Sequence, residues 1–279
     1  MLAVVTQPDR PSGRGHKLAA TPVKAAALEL GLTVHAPLRL KPFADRLRAL
    51  EPDILAVASY GRILPQAILD LPRAGIAFNV HPSLLPLYRG ATPLQAAIRD
   101  GRTQTGVTII AMDAGMDTGD IVGQESTPIG LAETYGELHD RLALEGARLL
   151  IGAIDRLAAG TLERTPQAML GFTPNEIEAT LTSPLGKDDM VVDWSWPAAR
   201  IVNVIRALAP LPAARGLLDG ELLKLHAARM ALEGESGATV DGGLVERAGD
   251  GRGVVLLRVT PPNRSSMSGA AYGRARTVV

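Results

Sequence analysis

Short apolar runs alternate with helix-spaced patterns through the first half of the chain. Leu2–Val5 reads as a strand that leads into a Pro-, Gly- and Arg-rich loop over residues 7–20. A helix is predicted from Thr21, with Pro22 in its first turn and Gly31 beyond its end. Leu32–His35 reads as a strand and Pro42–Leu50 as a helix. The apolar run Ile54–Ser59 predicts a fully buried strand. Pro65–Leu71 follows as a short helix, Ile76–His81 as a strand and Thr92–Asp100 as a helix. Val107–Met112 and Ile121–Ser126 read as two further strands. Thr134-x-x-Glu137 has the spacing of a capping box and opens a long helix. Leu138, Leu142, Leu149, Leu150, Ile154 and Leu157 form its apolar stripe, and Gly160 stops it. Repeated β–α units of this kind predict an α/β fold, with a Rossmann-like, mostly parallel sheet covered by helices.

Beyond this point the pattern changes. Residues 161–192 lose periodicity and read as a linker. A helix near Pro197–Leu208 and strands over Leu222–Ala227, Leu244–Arg247 and Val254–Val259 follow, with Gly-rich turns between them. These predict a small β-barrel, OB-like, over residues 193–279, after a first domain over residues 1–160.

Composition narrows the class. The 279 residues are 46% hydrophobic, enough for packed cores, and no apolar run approaches membrane-spanning length. With no cysteine, disulfides, a thiol nucleophile and thiolate zinc sites are excluded. The five histidines show no metal-ligand spacing, so no metal is expected. Lys plus Arg and Asp plus Glu balance at 29 each, but unevenly. Residues 1–50 carry eight basic against three acidic side chains, residues 245–279 six against two, and residues 100–190 six against fifteen. Two basic ends around an acidic middle suit a polyanion that lands locally, and random surface charge gives the same counts. No leader or transit segment precedes the first strand, which reads as a chain missing its start.

The densest chemical signal is Phe78-Asn79-Val80-His81-Pro82-Ser83-Leu84-Leu85-Pro86-Leu87-Tyr88-Arg89-Gly90. Asn79 and His81 lie two apart on a predicted strand that Pro82 ends, so both side chains share one face at its carboxyl end. Open α/β sheets place ligands there. A lone histidine beside an apolar run fits a core position equally well. The second signal is Met112-Asp113-Ala114-Gly115-Met116-Asp117-Thr118-Gly119-Asp120. It lacks the spacing and closing Glu of a calcium loop. It reads either as a solvated turn or as a carboxylate brought near His81.

Together, Asn79-x-His81, the Ser83–Pro86 loop with Arg89-Gly90, and Met116–Asp120 resemble the folate-dependent formyltransferase superfamily. Thr6–Gly15 is similar to the branch that acts on methionyl-tRNA. The match covers residues 3–160. Val192-Asp193-Trp194 and Ile205-Arg206-Ala207 resemble that family's entry to its C-terminal barrel, which implies a tRNA-binding domain there. The resemblance implies transfer of a formyl group from 10-formyltetrahydrofolate to the amino group of methionyl initiator tRNA, by a cytoplasmic monomer. It assigns catalysis to Asn79, His81 and Asp117. It assigns folate binding to Ser83, Leu84, Leu85 and Pro86 and to Tyr60, Gly61, Arg62, Ile63 and Leu64. The mobile-looking basic loop supplies Arg10, Arg14 and Lys17, beside His16, for tRNA phosphates. Arg264, Arg274 and Arg276 are a second basic segment.

The chain departs from the family in lacking the strand, turn and helix that ordinarily precede Leu2–Val5. In such a sheet that strand is central, so two apolar strand edges are expected without it. Ala209-Pro210-Leu211-Pro212 stands where a Trp-containing turn is usual. Two other readings stay open. One is a formyltransferase acting on a sugar-nucleotide amine, or a formylfolate hydrolase. The other is an inactive folate- or RNA-binding remnant.

Overall fold

The computed structural model describes residues 1–12, 17–235 and 238–276. The chain divides into two compact units. The first comprises Met1–His81, Ile109–Gly123 and Leu150–Leu170. The second comprises Pro82–Thr108, Gln124–Leu149 and Gly171–Val279.

In the first unit, β1 (Val4–Val5) leads to a hairpin of β2 (Arg10–Ser12) and β3 (Lys17–Ala19). Part of the segment read as a loop is therefore antiparallel ribbon, with Arg10 opposite Ala19 and Pro11 opposite Leu18. Helix α1 (Pro22–Glu29) starts where the sequence places it: Thr21 Oγ1 accepts from Lys24 N at 3.1 Å, and Gly31 follows with φ +67°. β4 (Val34–His35) runs parallel to β1, and the two form a sheet of their own. After α2 (Ala44–Arg48), β5 (Leu55–Ala58) opens a second sheet. Expected to be fully buried, β5 instead alternates half-buried Leu55 and Val57 with exposed Ala56 and Ala58. Among the described residues it is an edge strand, paired on one side with β6. Helix α3 (Gln66–Leu69) precedes β6 (Ala77–His81), which is parallel to β5. Val5, Leu55, Tyr60 and Leu64 pack on a small core of Leu40, Ala44, Leu47 and Ile68.

Helix α4 (Pro93–Arg99) lies in the second unit. β7 (Gln104–Ala111), β8 (Asp120–Pro128) and α5 (Tyr135–Ala158) each run through both units. The sheet order is β5-β6-β7-β8. The capping box of α5 forms, with Thr134 N donating to Glu137 Oε2 at 2.8 Å. This bond, with that from the Thr134 hydroxyl, holds the Glu137 carboxyl below its ordinary pKa.

Residues 161–192 hold short elements rather than bare linker. A 3₁₀ turn spans Gln167–Leu170, α6 spans Pro174–Glu178 and β9 spans Val191–Val192. The rest of the second unit is α7 (Ala198–Ala207), β10 (Ala214–Leu218), β11 (Glu221–Met230), β12 (Thr239–Val240), β13 (Gly243–Arg247), β14 (Gly253–Thr260), β15 (Met267–Ser268) and α8 (Gly269–Arg276). The strands make one seven-stranded sheet in the order β12-β13-β14-β11-β10-β9, with β15 on β14. Ile201, Ile205, Leu223, Leu225, Leu256 and Val259 are fully buried in its core. Burying each such side chain contributes about 1.5–3 kcal/mol before entropy is counted.

Candidate active site

β6 stops at His81 because Pro82 has no N–H for a ladder. Fully buried Phe78 anchors the strand, and Met112 N donates to Ala77 O at 2.8 Å, joining it to the chain that leaves β7. Asn79 and His81 thus share a face at the carboxyl end of the strand.

The three aspartates of the loop after β7 are used differently. Asp113 accepts from Gly115 N at 3.0 Å and from Thr118 Oγ1 at 2.7 and 2.9 Å, so it shapes the turn from within. Asp120 opens β8. Asp117 faces β6: Asn79 Nδ2 donates to its Oδ1 at 3.4 Å, and His81 Nδ1 lies 3.6 Å from its Oδ2. The His81 side chain is 4% exposed and that of Asp117 17%, so the pair is shielded yet reachable. Asp117 has φ +56°, a left-handed conformation that Asp tolerates better than most residues. Gly119 permits the turn, because a Cβ there would stand 2.0 Å from Ala111 O. Among the described residues no three His, Asp or Glu side chains gather as a metal shell.

Sequence reasoning passed over Gln167. It is 5% exposed, and its Nε2 donates to Asp117 O and Gly119 O, each at 2.8 Å. It lies in the stretch read as linker, fifty residues from Asp117, and no local pattern marks it.

Within the first unit, Tyr60 to Leu64 form a bent loop with φ +72° at Gly61 and Ile63 88% exposed. Arg62 donates to Leu38 O at 2.7 Å, and Gln7 Nε2 donates to Tyr60 O at 2.9 Å. Tyr60 Oη and Gln7 Oε1 are buried and meet no hydrogen-bonding partner among the described residues. Burial pushes the Tyr60 hydroxyl above its ordinary pKa, against the opposing charge of Arg62, so it is a neutral donor near pH 7.

Within the second unit, Ser83, Leu85 and Pro86 are buried and Leu84 half-buried. Ser83 Oγ donates to Leu87 O at 2.8 Å, Thr108 Oγ1 donates to Ser83 O at 2.7 Å, and Leu85 N donates to Thr108 Oγ1 at 3.2 Å. Gln124 Nε2 closes the network on Leu85 O at 3.0 Å. The loop is therefore rigid, with Leu84 its more exposed side chain.

Of the basic residues assigned to tRNA, Arg10 is exposed on β2. Arg14 lies outside the described residues, as do His16 and the side chain of Lys17. Asp9 accepts both contacts of Lys24 Nζ, at 2.8 and 2.9 Å, at the foot of the hairpin. Arg264 and Arg274 are exposed, and the side chain of Arg276 is outside the described set.

A further basic group was missed. Arg215 on β10 stands directly opposite Lys224 on β11, and Arg258 on β14 is exposed nearby, opposite Ala227. Like charges facing each other across a ladder are unfavourable, and none of the three is in an ion pair with the described residues. His226 records the field. Burial first, then Lys224 and Arg258, push its imidazole below the ordinary value. The signal was available as Arg215 and Lys224 alternating with buried apolar neighbours, once β10 is recognised as a strand.

Comparisons with known proteins bear on both halves. The family profile described as "Formyl transferase" matches residues 1–154, and "Formyl transferase, C-terminal domain" matches residues 184–276. A methionyl-tRNA formyltransferase of Moorella thermoacetica is 44% identical over 278 residues, covering 97% of this chain and 86% of that one. One from Stutzerimonas stutzeri is 47% identical over 232 residues, covering 82% and 71%. Among solved structures, an N-formyltransferase from Helicobacter canadensis, in complex with folinic acid and dTDP-3-aminofucose, is similar with TM-score 0.67. It is 19% identical, with 93% of this chain and 88% of that chain covered. HypX from Aquifex aeolicus in complex with tetrahydrofolic acid gives TM-score 0.64 at 19% identity, covering 88% of this chain and 43% of that one. At such identity these structures speak to the fold alone. The profiles span both halves, and the relatives are similar across most of their length; the chain belongs to the formyltransferase family, among the methionyl-tRNA formyltransferases.

Proposed function

We propose that this chain transfers the formyl group of 10-formyltetrahydrofolate to the α-amino group of methionyl initiator tRNA, in the cytoplasm, for translation initiation. The observation that carries the chemistry is the meeting of Asn79, His81 and Asp117 at the ends of β6 and β7. The attacking α-amine has an ordinary pKa of about 7.7–8.0, so a useful fraction is neutral near pH 7 without a strong base. The costly event is negative charge on the formyl oxygen as the C–N bond forms. Asn79 Nδ2 and a protonated His81 donate to that oxygen, and each such donor is worth roughly 10²–10³ in rate. Asp117 stabilises the imidazolium and receives the amine proton, directly or through water, for delivery to the departing folate nitrogen. The C–N bond to folate then breaks, leaving tetrahydrofolate and the formylated amine.

The Tyr60–Leu64 loop fits the donor. Its 88% exposed Ile63 offers an apolar surface for a flat heterocycle. Within the second unit, the hydrogen-bonded Ser83–Pro86 loop with its half-buried Leu84 suits the same apolar ligand class. Arg10, Arg14 and Lys17 grip phosphates from the N-terminal basic segment, and the exposed Arg215, Lys224 and Arg258 do so from the C-terminal sheet.

The test is acceptor choice. The chain is given 10-formyltetrahydrofolate with methionyl initiator tRNA, with a dTDP-amino sugar, or with water alone. Formylation of the tRNA is expected, and it should exceed that of the sugar by about a hundredfold or more in kcat/KM. Changing Arg215, Lys224 and Arg258 to Ala should lower the log–log salt slope of tRNA binding by roughly 0.7–0.9 per lost contact. Preference for the sugar, or hydrolysis alone, would overturn the reading. An unchanged slope would remove the C-terminal face from it.

A further inference from the structure

We propose that Gln167 is a positioning residue for formyl transfer, holding the Asp117 carboxylate against Asn79 and His81 through the backbone of its turn. The inference rests on the function proposed above.

The bonding fixes what the side chain does. Two carbonyl oxygens, those of Asp117 and Gly119, lie 2.8 Å from one Gln167 atom. An amide oxygen cannot occupy that place, since it would face two acceptors, so the NH₂ group does and both its protons are committed. The residue type is specific. Glu would set an acceptor against the same carbonyls. Met would match the length and supply no donor. Lys or Arg would supply donors, but their charge would compete with His81 for Asp117.

The backbone around Gln167 is itself clamped. Ile121 N donates to Thr165 O at 2.9 Å, and Thr165 N donates to Ile121 O at 2.8 Å. This reciprocal pair sits two residues from Gln167 and at the start of β8, so the strap cannot slide along the turn. On the other side Asp113 holds Gly115 N and Thr118 Oγ1. Asp117, at φ +56°, thus lies between an internal clamp and an external one. A non-glycine residue keeps that conformation where its surroundings over-determine it. Without the Gln167 donors, the two carbonyls lose these hydrogen bonds, and the carboxylate shifts from its 3.4 and 3.6 Å contacts.

The experiment compares Gln167→Met and Gln167→Asn with the parent chain, alone and combined with Asp117→Asn. The first readout is formylation of methionyl initiator tRNA. Gln167→Met should lower kcat about tenfold or more and leave both KM values within about twofold. In the Asp117→Asn background the same change should cost under about twofold, because the group it positions is already gone. Gln167→Asn, which keeps an amide but is one methylene shorter, should fall between. The second readout needs no activity: the titration midpoint of the His81 ring by NMR. It should move in Gln167→Met in the same direction as in Asp117→Asn. Equal losses in both backgrounds, a loss carried in KM, or an unmoved His81 midpoint would overturn the proposal. If the parent does not formylate tRNA, the functional reading fails, and the His81 midpoint still decides the role of Gln167. If Gln167→Met does not fold, Gln167→Asn is judged by the same two readouts.

Discussion

Replacing Asp117 by Asn keeps the shape of the side chain and removes its charge, so it tests the electrostatic part of the site directly. His81 Nδ1 lies 3.6 Å from the carboxylate, and the pair is mostly shielded from water. Two unit charges at this separation attract by roughly 4–5 kcal/mol at an effective dielectric constant near 20. Part of that is returned, since an Asn oxygen still accepts from Asn79 and water reaches the exposed edge of the carboxylate. A net loss of about 3–4 kcal/mol in transition-state stabilisation corresponds to a 10²–10³-fold slower step. The assay is single-turnover formylation of methionyl initiator tRNA with enzyme in excess, which isolates chemistry from product release. Thermal unfolding should change little, because the surface turn keeps its Asp113, Gly119 and Gln167 supports. A rate within about threefold of the parent would refute the reasoning, since the imidazolium would then owe little to Asp117.

Two further outcomes are expected. Gly119→Ala should destabilise the chain by about 1–3 kcal/mol or more, because the new Cβ would meet backbone atoms that cannot move aside, Ala111 O at 2.0 Å and Ala111 C at 2.9 Å. A urea midpoint indistinguishable from the parent's would show that the turn has another packing. His226 gives a pH dependence of stability. Its pKa is depressed in the fold, by burial and by Lys224 and Arg258, so below an ordinary value of about 6.5 the unfolded chain binds a proton that the folded one refuses. Stability is then full above that value and declines as pH falls through it toward the folded pKa. His226→Gln should flatten that decline in melting curves run from about pH 7.5 to 5. An equal decline in both proteins would move its origin elsewhere.

The elements the sequence predicts well carry their signals within a few residues. Thr21 caps α1 by accepting from Lys24 N, Thr134 and Glu137 cap α5 reciprocally, and Pro82 ends β6. What was missed depends on partners far along the chain. Ile54–Ser59 reads as an interior strand because its residues are apolar, and whether a neighbour pairs with each edge is set by the sheet order. β10 carries Arg215 and Gly216 among its five residues and earns its place by pairing with β11 and β9. The stretch after residue 160 looked structureless for the same reason. Its hydrogen bonds go to residues long past, Thr165 to Ile121 and Thr180 to Tyr88 N, ninety-two positions away.

The site divides along the same line. That Asn79 and His81 share a face follows from a period of two and a proline. Which aspartate answers them does not, because Asp113, Asp117 and Asp120 have the same chemistry and sit within eight residues. The structure separates them by backbone geometry. Asp113 spends its carboxylate on the turn, which is what turn-forming Asp commonly does. Asp117 is placed at positive φ, and its side chain faces β6. That conformation is held by Gly119, which lets the turn close on Ala111, and by Gln167, which holds its carbonyls. The catalytic carboxylate we propose is thus selected by two residues that carry no charge, one of them fifty positions away. A scan for titratable groups alone would rank the three aspartates equally.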